Sequence, residues 1–182
     1  WRQMRIGVLG AGSWGTTLAG LLAANGEDVL LWAFEPDVAE EIEREHTNEA
    51  FLPGVRLDSR LRATNDAREA VDGSELVLIV VPTHVMRGVL EDVAGGIPED
   101  AVVVNASKGI ETESLLRISE LVADVLPSGW PDTYAVLSGP SFAAEVAARR
   151  PTVITAASRD EKVADMVQRL FYTSYFRVYK HD

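Results

Sequence analysis

Along this chain, short apolar runs alternate with stretches in which apolar residues recur every third or fourth position. Ile6, Val8 and Leu9 make the first run, Asp28–Trp32 the second and Leu61–Thr64 a short third. Leu76–Val81, Ala101–Asn105, Tyr134–Leu137, Thr152–Ala156 and Tyr175–Tyr179 follow. Runs of this length without strict alternation read as strands buried on both faces of a parallel sheet. Leu76–Val81 is the most apolar and is expected near the sheet's centre.

The intervening stretches carry helix signals. Trp14 to Asn25 predicts a first helix stopped by Asn25-Gly26, and Pro36 opens a second that runs to Glu45. Asp66 caps a short helix to Val71. Further helices are expected over Val85–Val93, over Ser114–Leu126 closed by Pro127-Ser128-Gly129, from a capping Ser141 through Ala148, and over Asp160–Phe171. Between the second helix and third strand lies a long irregular stretch, His46 to Val55, of the kind that often carries function. Strand–helix alternation throughout, with no repeat or linker, predicts one α/β domain over 1–182. Its sheet should be doubly wound, mostly parallel and Rossmann-like.

Such sheets bind ligands beyond the carboxyl ends of their strands. The first strand runs into Gly10-Ala-Gly12-Ser13-Trp14-Gly15 and then into Leu18, Leu21 and Leu22 at helical spacing. A first glycine there permits the tight turn, a second lets backbone approach a pyrophosphate, and a third lets helix pack on strand. Free amides at the new helix's start would face the phosphates. At the second strand's end stand Ala33, Phe34 and Glu35. Phe34 can flank an adenine, and Glu35 can meet a ribose hydroxyl but repels a 2′-phosphate. The reading leans to NAD and leaves NADP open.

Two other strand ends hold candidate chemistry. Lys108, between Ser107 and Gly109, would send an ammonium into the cleft mouth toward an anionic substrate or a cofactor phosphate. Ser138-Gly139-Pro140-Ser141-Phe142-Ala143 offers a turn whose amides can hold an anion or simply cap a helix. His46, His84 and His181 lack metal-ligand spacing, and no metal site is expected. His84 reads as a bystander at a helix start, with a proton donor as the alternative.

Composition narrows the partners. Against 17 basic residues stand 28 acidic ones, a net charge of −11, which disfavours a nucleic-acid groove. With no cysteine, disulfide and thiolate chemistry are excluded. No span is long and apolar enough to suggest a membrane segment, so a cytoplasmic location is the expectation. Both ends look cut, since Trp1 precedes the first methionine and no cap follows the last strand.

Taken together, the chain resembles the N-terminal half of NAD(P)-dependent glycerol-3-phosphate dehydrogenases from Arg5 to about Tyr179. The motifs that carry the resemblance are Gly10–Gly15, Leu31-Trp32-Ala33, Phe51–Gly54, Val80-Val81-Pro82, Ser107-Lys-Gly-Ile-Glu111, Leu137–Ala143 and Phe176–Tyr179. The resemblance implies hydride exchange between NAD or NADP and C2 of glycerol 3-phosphate, giving dihydroxyacetone phosphate. It implies that Ser13, Trp14 and Ala143 contact the dinucleotide, that Lys108 touches cofactor and substrate, and that Gly139 and Ser141 help hold the substrate. Phe34 stands where the family often has a basic residue, a departure from NADP use. The family's principal catalytic lysine lies in a helical second domain beyond this chain, so no catalytic residue is expected here and turnover should be negligible. Without that domain the last strands would expose an apolar patch open to homodimer formation. Two other readings stay open: a stand-alone dinucleotide-sensing module, and a β-hydroxyacid or 6-phosphogluconate-like dehydrogenase.

Overall fold

A computed structural model describes residues 2–126 and 133–181. Its strands are β1 (Arg5–Leu9), β2 (Asp28–Trp32), β3 (Arg62–Thr64), β4 (Leu76–Ile79), β5 (Val102–Asn105), β6 (Tyr134–Ser138), β7 (Thr152–Ser158) and β8 (Phe176–His181). They form one sheet in the order β3-β2-β1-β4-β5-β6-β7-β8. Every neighbouring pair is parallel except β6 and β7. The helices are α1 (Ser13–Ala24), α2 (Pro36–Glu45), α3 (Ala67–Val71), α4 (Thr83–Val93), α5 (Ile118–Val125), α6 (Ala143–Ala147) and α7 (Glu161–Phe171).

Side chains alternate across the strands into two cores. Ile6, Val8, Leu76, Leu78, Val102 and Val104 pack with Leu18 and Leu22 of α1, Ile42 of α2 and Val167 of α7. Leu9, Val77, Ile79 and Val103 face the other way, onto Val71 of α3, Leu90 of α4 and Leu121 of α5. Covering both faces explains why β4 and β5 are buried at every position and apolar at all but the last, Asn105. Truncating one such side chain, Leu78 for example, removes burial and leaves a cavity, costing about 2–5 kcal/mol.

From β1 the chain steps outward through β2 to β3, then returns to lay β4 on β1's other side. The order therefore reverses between β1 and β4, and a crevice opens above their carboxyl ends. Because β7 reverses direction, α7 and β8 follow it as an inverted unit. That brings Phe176, at the start of β8, to the crevice end of the sheet, where its ring lies 6.4 Å from that of Trp14. Among the described residues no helix is long and apolar enough to cross a membrane.

Several expected boundaries move. The fifth helix begins at Ile118 rather than Ser114, because Leu115 adopts a left-handed φ of 60° and Ile110 bridges to Arg117. Its expected stop, Pro127–Gly129, lies outside the described residues. Helix α4 starts two residues early, at Thr83, directly after Pro82. Ser141 does not cap α6. The cap position is Phe142, and the Ser141 hydroxyl lies 3.5 Å from the Gly139 carbonyl.

Candidate functional site

The glycine loop shows what each residue of the fingerprint does. Gly10 has φ 112°, and a Cβ there would sit 2.6 Å from the Val80 carbonyl oxygen. Only glycine makes this turn, which lets β1 and β4 lie side by side while the chain swings into α1. At Gly15 a Cβ would fall 1.9 Å from the Gly10 carbonyl oxygen, so its absence seats α1 on the loop. A Cβ at Gly12 would meet nothing within 4 Å. The space over Gly12 is thus open, bounded by main-chain amides that α1 leaves unbonded in its first turn. No acidic side chain stands in that turn to compete with an incoming anion.

Asn48 holds this loop in place. It is fully buried in the irregular stretch after α2, and its amide donates to the Ala11 carbonyl and the Thr16 hydroxyl, at 2.9 Å each. Thr16 donates in turn to the Ala11 carbonyl at 3.0 Å. The Asn48 side-chain oxygen accepts from the Phe51 amide at 3.2 Å. Sequence reasoning marked the stretch but missed this residue. A buried polar side chain in a loop has no periodic signature, and only its tertiary partners reveal it.

A cavity of about 670 Å³ runs over the crevice, within the size range of sites for small ligands. Gly10, Gly12, Ser13, Trp14, Gly15, Phe34, Glu35, Lys108, Ser141 and Ala143 all line it. The strand-end candidates thus converge on one site. Gly139 is not among the lining residues. Its missing Cβ instead admits Ile154 of β7, whose Cα would lie 3.1 Å away. His84 lines the cavity beside Val85 and Pro82, contributions the sequence left unassigned or treated as incidental. Phe34 and Phe142 are 76% and 70% exposed and stand as apolar walls at the mouth.

The charges sit apart. Glu35 precedes α2 at the end of β2, and its side chain makes no capping bond. Lys108 follows β5 and, among the described residues lining the cavity, is the only lysine or arginine. Its ammonium donates to the Ser141 carbonyl at 3.1 Å and lies 5.8 Å from the centre of the Trp14 ring. The loops after β5 and β6 therefore meet at Lys108, above the first turn of α1. Ser107 fixes the lysine's own strand end. Its hydroxyl donates to the Val81 carbonyl at 2.8 Å, and its amide donates to the Asn105 side chain at 3.0 Å.

Such an arrangement can seat an extended anion, with a carboxylate available to hydroxyls at one end and an ammonium at the other. Residues 5–164 match the family model described as NAD-dependent glycerol-3-phosphate dehydrogenase N-terminus. The chain belongs to this family. It is 49% identical over 177 residues to the glycerol-3-phosphate dehydrogenase [NAD(P)+] of Citrifermentans bemidjiense, covering 97% of this chain and 53% of that protein. Identity to the enzyme of the same description from Geobacter sulfurreducens is 51% over 175 residues, covering 96% and 52%. A crystal structure of glycerol-3-phosphate dehydrogenase from Coxiella burnetii superimposes with a TM-score of 0.91 at 36% identity, covering 99% of this chain and 54% of that one. The chain thus spans about half the length of the relatives it matches. The motifs beyond the glycine fingerprint fall within the family match, apart from Phe176–Tyr179.

Proposed function

We propose that the chain binds a nicotinamide dinucleotide, NAD or NADP, along this cavity. In this reading it forms the coenzyme-binding part of an oxidoreductase that interconverts sn-glycerol 3-phosphate and dihydroxyacetone phosphate. The observation that carries the reading is the open cradle over Gly12, continuous with a cavity that ends at the Lys108 ammonium. Amides of Ser13 and Trp14 would hold the pyrophosphate, and Phe34 and Glu35 would flank the adenosine. Ala143 would line the path of the dinucleotide toward Lys108.

When bound, the nicotinamide carries the hydride. This chain's own residues bind and orient. Lys108 supplies positive charge where a phosphorylated alcohol or ketone would lie, over the Trp14 ring. Ser141 contributes through its carbonyl, which fixes the ammonium, and Gly139 acts indirectly by letting that turn rest on β7. The proposal assigns the alcohol's proton relay to a lysine of a helical second domain, outside this chain. Lys180 is engaged with Glu161 and Asp165, away from the cavity.

Titration with NADH, followed by energy transfer from tryptophan to the reduced nicotinamide, tests the reading. Saturable binding with negligible steady-state turnover of dihydroxyacetone phosphate is expected. A response without saturation, or turnover at the rate of a complete enzyme of this family, would refute it.

A further inference from the structure

Three residues beyond Lys108, the Glu111 carboxylate is turned inward, with the residue 5% exposed. Arg87, one turn along α4 from the cavity-lining His84, meets it with both arms of its guanidinium, Nε to Oε1 at 2.8 Å and Nη2 to Oε2 at 3.0 Å. The Ser114 hydroxyl donates to the same carboxylate. Arg87 is itself steadied by Asp124 of α5 at 2.7 Å. The guanidinium and the Ser114 hydroxyl together hold the Glu111 carboxyl below its ordinary range.

A carboxylate this buried gains little net stability from its partner, because both charges lose water. What the pair does secure is position. The segment between β5 and α5 has no regular structure beyond the Ile110–Arg117 bridge. Gly109 bends it at φ 105°, where its backbone passes the Thr83 side chain at the start of α4. Lys108 is therefore pinned on one side by Ser107 on the Val81 carbonyl and on the other by Glu111 on Arg87. Both anchors belong to the chain that leaves β4, which also forms one wall of the cavity.

We infer that Glu111 and Arg87 are positioning residues, a two-armed clamp that fixes the Lys108 loop to α4 and so sets the ammonium between the Ser141 carbonyl and the Trp14 ring. The inference rests on the proposed role of Lys108 at the substrate end of the cavity. It assigns the glutamate of the Ser-Lys-Gly-Ile-Glu motif a task distinct from contact with any ligand. The same pair ties α4 to the loop, so the cavity's two rims move together.

The chain's three lysines, Lys108, Lys162 and Lys180, make a direct test possible. Reductive methylation with 13C-formaldehyde labels each lysine and the terminal amine while keeping the charge, and K108M identifies the Lys108 signal. Held over the Trp14 face, the Lys108 methyls should resonate upfield of those of a lysine remote from any aromatic ring. In E111Q and R87M that signal should move most of the way to the position of a lysine remote from any ring, with Lys162 and Lys180 unmoved. R87K, which keeps the charge but loses the fork, should fall between. The control D165N should move Lys180 alone. An unmoved Lys108 signal in folded E111Q would overturn the inference, as would a shift of all three lysines together. Should R87M fail to fold, the milder E111Q and R87K variants decide by the same criterion. The signals are read without NADH, so failure to bind NADH counts only against the dinucleotide reading.

Discussion

Asn48 reaches across from the loop after α2 to donate its side-chain amide to the carbonyl of Ala11, 2.9 Å away, inside the glycine turn. A residue with no exposure to solvent thus governs the shape of the surface proposed to meet a phosphate. The same amide bonds the Thr16 hydroxyl, so loop, turn and first helix share one hydrogen-bonded node. Replacing Asn48 with alanine leaves a buried carbonyl with one partner fewer and should cost about 2 kcal/mol. For a domain of this size the melting temperature should fall by about 4–8 °C. N48A should also bind NADH more weakly at a temperature where it is fully folded. Thermal melts and a fluorescence titration check both.

Coenzyme choice follows from the β2 end of the cavity. Glu35 lines the cavity at the β2 end, where the proposed reading puts the adenosine ribose, and among the described residues that end holds no arginine or lysine to meet a 2′-phosphate. NADH should bind more tightly than NADPH by about tenfold or more, the equivalent of 1.4 kcal/mol. E35R should narrow or invert that ratio. Equal or stronger binding of NADPH by the unaltered chain would contradict the role given to Glu35.

Acid should weaken the fold through two carboxylates. The Arg60 side chain bonded to Asp58 holds that carboxyl at about 2, and Arg87 holds Glu111 below its usual range. Both folded-state values are depressed, so the unfolded chain binds the proton more readily. Their stabilisation is complete above the ordinary carboxylate range and is lost as the pH falls toward the lowered values. The Asp58 contribution should be at most about 1 kcal/mol, because Arg60 is half exposed and only two residues away in sequence. Unfolding free energies should be flat above about pH 5 and decline below about pH 4. D58N should lessen the slope of that acid limb, as urea titrations across pH would record.

Within β1, Gly7 marks a close crossing that the packing of α3 makes obligatory. A Cβ there would lie 2.2 Å from the Ala70 carbonyl oxygen and 2.9 Å from the Ser74 hydroxyl. G7A must push α3 off the sheet and should destabilise the chain by about 1–3 kcal/mol, measured by urea unfolding. A melt indistinguishable from the original would mean that α3 moves freely, against the contacts of Ala70 and Val71 in the core.

The extent to which such features are legible in the sequence differs by physical cause. Strand β2 and helix α2 fall at the expected residues because their signals are local: an apolar run, a proline at the helix start and a polar outer face. The convergence of the glycine turn, Phe34-Glu35, Lys108 and Ser141 was readable because a doubly wound sheet places all its strand ends together. What escaped was set by tertiary partners. The reversal of β7 leaves no mark in the alternation of strand and helix. The late start of α5 reflects the left-handed turn at Leu115 and the Ile110–Arg117 bridge, where Glu111 also binds Ser114 and Arg87, against a helical pattern that would otherwise begin at Ser114. Gly7 did carry a readable signal, since glycine inside a strand often marks close backbone approach. Gly139, read as part of a substrate-holding turn, lies against Ile154, and only the position of β7 reveals that.

Gly12 and Gly15 separate cradle from scaffold, and their comparison is the sharpest test of the site. A methyl at Gly15 collides with the Gly10 carbonyl, so G15A should lose stability outright. A methyl at Gly12 meets no atom of the protein and enters only the space assigned to the pyrophosphate. Isothermal titration of the original chain and of G12A with NADH is therefore the decisive measurement. The original chain should bind saturably, and G12A should bind at least about tenfold more weakly while its stability changes by no more than about 1 kcal/mol. Equal affinity in the two proteins would contradict a phosphate cradle over Gly12.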